Sequence, residues 1–170
     1  MADIRGISCD IWYVNGDGGD DSKTGDSVAN AWETVQYAFD KIADSTVDNG
    51  DEIRIMKTSN DEVYYAISSQ LDPDWNNKEI TVTGSNSNGD VDGTQVALVA
   101  TGAPPPPAML YMGENEDCER MIWANLHFDA NDLSAHCIHS LDNNNYQNWL
   151  NCRFSRATSH GVNKLANYWD

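Results

Sequence analysis

The feature that most constrains this chain is a repeat near its C-terminus. Trp123-x-Asn125-x-x-Phe128 returns as Trp149-x-Asn151-x-x-Phe154, an offset of 26 residues. His136-x-Ile138-x-x-Leu141 then returns as His160-x-Val162-x-x-Leu165, an offset of 24. Order, spacing and residue type agree across the whole unit. A period of about 25 residues that contains only strand and turn formers suggests a solenoid of stacked coils, not a helical repeat. In such a stack each strand pairs in parallel with its counterpart about 4.8 Å away. Phe128 over Phe154 and Ile138 over Val162 then fill the interior. Asn125 over Asn151 forms an amide ladder at a turn, a known way to satisfy polar groups in stacked strands.

The rest of the chain suits short strands and tight turns. Apolar residues make up 40% of it, enough for a core, yet it holds 12 Gly, and Asn and Asp recur in nearly every segment. The strand formers Ile11-Trp12-Tyr13-Val14 stop at Asn15-Gly16-Asp17-Gly18-Gly19-Asp20-Asp21, a strong turn signal. Asn30-Ala31-Trp32-Glu33 reads as a capping box, and Trp32, Val35, Phe39 and Ile42 follow at helical spacing with Glu33, Gln36, Asp40 and Lys41 opposite. This predicts an amphipathic helix over residues 31–43. Asn49-Gly50 ends it and Asp51-Glu52-Ile53-Arg54-Ile55 opens a strand. Further short strands are expected at 63–67, 79–83, 96–100, 109–112 and 121–128. The four prolines at 104–107 cannot donate to a strand ladder and mark a stiff surface loop.

Charge excludes one class of function. With 27 acidic against 10 basic residues the formal net charge is −17, which repels phosphate backbones, and no basic stripe offsets it. No segment is long and apolar enough to span a bilayer, and the N-terminus lacks a signal-peptide pattern. Cys9, Cys118, Cys137 and Cys152 form no C-x-x-C pair and read as free thiols.

The strand at 11–14, the loop with Asp20-Asp21-Ser22-Lys23-Thr24-Gly25, the stretch Trp32-Glu33-Thr34-Val35-Gln36-Tyr37-Ala38-Phe39 and Gly50-Asp51-Glu52-Ile53-Arg54-Ile55 together resemble the opening of the pectin-lyase-like β-helix proteins. These include polysaccharide lyases and hydrolases and many bacteriophage tailspikes. The likeness covers residues 11–56 well and 120–170 by general pattern. It implies an all-β fold, a right-handed parallel β-helix (solenoid) with a short N-terminal capping α-helix. The chain is then one domain, 1–170, with strand, loop and capping helix in 1–50 and coils in 51–170. About five coils are expected, fewer than in the enzymes of the family.

The resemblance implies where chemistry would lie. Lyases of this fold use carboxylate-held calcium and a basic residue that removes a proton, and hydrolases use clustered aspartates. The candidates here are Asp129, Asp132, Arg153 and Arg156, with His136, His139 and His160 beside them. Arg153 falls under His127 in the repeat, and Arg156 falls near Asp129 and Asp132, so an ordinary ion pair is preferred to a catalytic one. His136 and His160 are expected to stack, as turn residues bonded to backbone carbonyls. Asp17, Asp20, Asp21 and Asp26 supply oxygens for calcium but lack EF-hand spacing, so a structural loop is preferred and no cofactor is expected. Trp123 and Trp149 form a stripe that, with Tyr168 and Trp169, would serve as a contact surface for a glycan or a neighbouring subunit.

The first functional reading is therefore a structural protein of a virus particle, a capsid decoration or a tail spike or fibre component, released by lysis and acting by assembly. Its partners would be copies of itself, as a trimer, or other virion proteins, with a polysaccharide as a further contact. The alternatives are a polysaccharide lyase or glycoside hydrolase and a secreted surface adhesin.

Overall fold

The computed structural model describes residues 9–44, 46–58, 65–73, 78–102, 107–112, 121–140 and 147–164. Twelve strands and one α-helix lie among them. The strands are β1 (Ile11–Val14), β2 (Glu52–Met56), β3 (Tyr65–Ile67), β4 (Thr81–Ser85), β5 (Val96–Ala100) and β6 (Ala108–Met112). They continue with β7 (Ile122–Ala124), β8 (Leu126–Asp129), β9 (His136–Ser140), β10 (Asn148–Leu150), β11 (Arg153–Ser155) and β12 (His160–Lys164). The helix is α1 (Val35–Ala43). The protein is mostly β, with little helix, and among the described residues no helix is long and apolar enough to cross a membrane.

The strands form three parallel sheets, ordered β1-β2-β4-β7-β10, β11-β8-β5-β3 and β12-β9-β6. From β4 onward the chain visits the three sheets in rotation, three times over. An earlier circuit runs β2, β3 and then Leu71, which makes an isolated parallel bridge to Leu110 of β6. Each sheet thus contributes inward columns of side chains, the longest of them as follows. Ile53, Val82, Trp123 and Trp149 stand in register in the first. Tyr65, Leu98, Phe128 and Phe154 do so in the second, and Leu110, Ile138 and Val162 in the third. All but the last residue of each column are buried in one continuous core. A fully buried side chain of this size contributes about 1.5–3 kcal/mol, so the columns hold the sheets together.

The C-terminal repeat sets the register: Trp149 pairs with Trp123, Phe154 with Phe128, His160 with His136 and Val162 with Ile138. Leu141 and Leu165 lie outside the described residues, as do most of the proline run, Tyr168 and Trp169. The expected run 121–128 is two strands, broken at Asn125, whose φ of 55° turns the chain into a new sheet. Asn151 repeats that turn at φ 50°, and its Nδ2 donates to Asn125 Oδ1 at 2.9 Å. Asn125 Nδ2 in turn donates to Thr83 Oγ1 at 3.2 Å. Asn tolerates this left-handed backbone better than most residues, which is why the repeat preserves it.

Two expectations need correction. A circuit of about 25 residues holds only for the last one. Thr81 pairs with Ile122, 41 residues on, and Val96 pairs with Leu126, 30 residues on. Long connections add residues without disturbing the strand columns, because loop closure becomes costlier only slowly with length. The helix also begins later than its capping box implied. Its N-cap is Thr34, whose side chain accepts from the Tyr37 N–H, and Trp32 lies in an extended bridge to Val14. The Asp21 carboxylate accepts the Glu33 and Thr34 N–H groups at 2.8 and 3.0 Å and the Thr34 hydroxyl at 2.8 Å. Asn30 instead closes a 3-10 turn, Val28–Asn30, and its Nδ2 donates to Asp26.

Trp32, Val35, Phe39 and Ile42 are nonetheless all buried in the common core. Phe39 meets Trp123 edge to face at 6.1 Å between centroids. At the other end of α1 the buried Lys78 donates to the carbonyls of Ile42 and Val47 at 2.6 and 3.0 Å. Phe39→Ala removes the deepest ring of the helix and should cost about 3–5 kcal/mol. Urea unfolding should show this as a lower midpoint, and an unchanged midpoint would mean that α1 is not part of the core it enters here.

Candidate functional site

The sequence candidates converge on the last two circuits. Arg153 stands beside His127 in register, and Arg156 pairs with Asp129 one circuit back. The pair is bidentate: Nε donates to Oδ1 at 2.7 Å and Nη2 to Oδ2 at 2.5 Å. Asp129 Oδ1 also accepts the Asn131 N–H at 3.0 Å. Burial resists ionisation of Asp129, but the Arg156 guanidinium and the Asn131 N–H outweigh it and hold the carboxyl below its usual range. Asp132 does not join the pair. Its side chain is exposed, and its N–H donates to the Arg156 carbonyl at 2.8 Å. With both Asp129 oxygens engaged, this pair locks two circuits together and leaves no poised base.

The histidines lie on strands, not in turns. His136 and His160 open β9 and β12 and stack at 5.7 Å, while His139 meets His136 edge to face at 5.3 Å. Tyr111 of β6 meets His139 at 5.4 Å. Burial and then the neighbouring His136 push the His139 pKa down. Burial, followed by Arg153, does the same to His127, whose Nε2 lies 2.7 Å from Ser155 Oγ. Cys9, Cys137 and Cys152 are free thiols, and burial raises the pKa of the latter two.

The acidic loop spends its carboxylates on itself. Asp20 accepts the Ser22 N–H, Asp21 caps α1 and Asp26 holds Asn30, while Asp17 is exposed. Among the described residues no group of three His, Cys, Asp or Glu side chains is placed to hold a metal ion.

The tryptophan stripe points inward. Trp123 is buried, donates from Nε1 to Gln147 Oε1 at 2.8 Å, and stacks on Trp149 at 5.3 Å with planes 7° apart. Trp123 is therefore core and not a contact surface. Its partner Trp149 and the ring of Phe154 are only partly buried, and among the described residues no further strand pairs with β10 or β11 on that side.

That difference marks the end of the stack that the sequence reading expects to lack a cap, and whose basic charge it missed. β10, β11 and β12 are the outermost described strands of all three sheets at once. Leu150 is 56% exposed there and Val162 36%. The opposite edge of the first sheet is covered differently. The Tyr13 N–H donates to Gly25, the Trp32 N–H to Tyr13 and the Asn15 N–H to Trp32, so the C-terminal half of the outer edge of β1 is bonded to the 15–32 loop. Residues 147–164 also contain Arg153, Arg156, His160 and Lys164 and no Asp or Glu, in a chain of net charge −17. A segment-by-segment charge count would have revealed this.

A second feature missed is a cleft of about 400 Å³ between the start of α1 and β3, lined by Gly16, Thr34, Gln36, Thr58, Tyr65 and Ser68. The Tyr65 hydroxyl accepts the Gly16 N–H at 3.0 Å and donates to the Met56 carbonyl at 2.8 Å, and its burial drives its pKa upward. Gln36 bridges to Asp72. The lining offers hydroxyl and amide groups, the Glu33 carboxylate and the apolar side chains of Val35, Ile67 and Leu71.

No family model, curated protein or solved structure matches the chain.

Two outcomes follow from the site chemistry. Arg156→Ala strands the buried Asp129 carboxylate and should destabilise by about 1–3 kcal/mol, whereas Arg153→Ala, at an exposed position, should change little. Equal effects would show that the cross-circuit pair is not special. The histidines give a pH dependence. The folded pKa values of His127 and His139 lie below the unfolded value of about 6.5, so the stabilisation from these two is complete above that pH and falls as pH drops through it. The urea midpoint should decrease from pH 7.5 to 5.5, with a smaller decrease in His139→Gln.

Proposed function

We propose that the three parallel sheets are the faces of one right-handed parallel β-helix, closed at its N-terminal end by the 15–32 loop and α1. On this reading the chain is a structural component of a virus particle, a capsid decoration or a tail spike or fibre protein, and acts by assembly. The rotation of the chain through the three sheets supports the β-helix, and the strong preference of parallel crossovers for one hand supports its right-handedness. The likeness of residues 11–56 to the opening of proteins that include tailspikes supports the particle.

The observation that carries an assembly role is the contrast between the two ends. The β1 edge is bonded in part by its own loop, while β10, β11 and β12 are the outermost described strands of all three sheets, with partly covered aromatic rings behind them. Exposed edges of this kind pair with other chains unless something covers them. Contact through lateral faces carrying Trp123 loses its basis, since that ring is interior, and the open end takes its place. A polysaccharide lyase or hydrolase is supported less, because Asp129 and Arg156 are spent on each other.

Sedimentation velocity of the chain across a range of concentrations tests the reading. Larger species should grow in with concentration, and amide exchange in β10, β11 and β12 should slow as they do. A monomer at every concentration, with those amides exchanging fast, would refute assembly through this end.

A further inference from the structure

The open circuit carries information about what covers it. Its rim is basic: Arg153 and His160 are exposed, the Arg156 side chain remains 48% exposed despite its pairing with Asp129, and the segment 147–164 contains no carboxylate. Its centre is apolar, with Leu150 and Val162 beside Trp149 and Phe154. A partner that fits must therefore bring carboxylates around a small apolar contact.

The sealed end of this same chain has that composition. The 15–32 loop carries Asp17, Asp20, Asp21 and Asp26 against one cation, Lys23. Asp17, Asp20 and Asp26 are exposed, and the exposed apolar side chain of that loop is Val28, at 38%. The loop forms the outermost layer over β1, at the far end of the five-stranded sheet from β10.

Resting on the assembly reading above, we propose that the open circuit docks on the 15–32 loop of a second copy, head to tail. Carboxylates there accept from the guanidinium groups of Arg153 and Arg156, a favourable charge-assisted bond. Val28 meets the apolar centre. The alternative symmetric contact, open end on open end, places Arg153, Arg156 and His160 against their own copies, and like charges across an interface are strongly unfavourable. A head-to-tail contact uses two different surfaces, so each added copy offers the same open end again.

Charge exchange tests the proposal at about 0.1 M salt, where a screening length of about 10 Å weakens repulsion between whole acidic bodies and leaves contact-range attraction. Arg153→Glu alters the open end, and Asp17→Lys combined with Asp26→Lys alters the loop. Each variant alone should self-associate at least tenfold more weakly than the parent in sedimentation velocity. An equimolar mixture of the two should recover association, because each then meets a complementary surface. Thermal melts confirm that both are folded, and Asp17→Lys alone replaces the double variant if Asp26→Lys disturbs the loop. Self-association unaffected by Arg153→Glu, or no recovery on mixing folded variants, overturns the head-to-tail contact while leaving assembly through the open end intact. Binding of the parent chain to an acidic polysaccharide that Arg153→Glu abolishes, without self-association, assigns the basic rim to a glycan and overturns the second-copy proposal. Absence of any association removes both readings.

Discussion

Parallel pairing in register is the interaction on which the rest of this molecule depends. Each interior strand receives half its backbone partners from the strand before it in the sheet and half from the strand after, so a side chain stands over its counterpart in the next strand. At the repeated positions this sets like over like: Trp123 on Trp149, Phe128 on Phe154, His136 on His160, Asn125 on Asn151. Apolar columns gain from that rule, because stacked rings fill the interior without voids. Polar positions gain only where the residue can donate to its own copy, as the Asn amide does. A carboxylate stacked on a carboxylate would be repelled, and the partner of Asp129 is accordingly an arginine from the following circuit.

The same rule makes the two ends different. A strand at the end of a stack has half its backbone groups open, and something other than a further circuit must answer them. At β1 the answer is local chain: the carbonyls and N–H groups of the 15–32 loop, with Asp21 tying that loop to the start of α1. β10, β11 and β12 are the outermost described strands of the three sheets, and the rings of Trp149 and Phe154 on them are only partly buried. Charge follows the same division, acidic in the 15–32 loop and without Asp or Glu in residues 147–164. In a body of net charge −17, a basic rim lowers the electrostatic cost of bringing another acidic surface close.

Most polar groups that look chemical in this protein are structural. Asp21 caps a helix, Lys78 satisfies carbonyls at the end of the same helix, and the Tyr65 hydroxyl joins Gly16 to Met56 across the core. Each answers a backbone group that would otherwise be buried unpaired, a cost comparable to a lost hydrogen bond. Catalysis needs groups held ready and unsatisfied, and the Asp129 carboxylate is the reverse of that.

By itself the sequence determined what is local or periodic. The repeat recorded the register of the last circuits residue by residue, because in-register stacking writes the same pattern twice. Alternation and turn residues located most strands, and the spacing of Val35, Phe39 and Ile42 gave the buried face of α1. Only the tertiary structure decided what depends on a distant partner. The start of α1 was set by Asp21, a dozen residues upstream, in place of the nearby Asn30. Whether Trp123 faced the core or the solvent was settled by Phe39 and Phe128, which close over it from other elements. The length of each circuit depended on loops whose size the strand columns do not constrain. A one-dimensional pattern records a residue's own periodic neighbours, whereas the choice among distant groups is made when the chain closes and the unpaired ones must find partners.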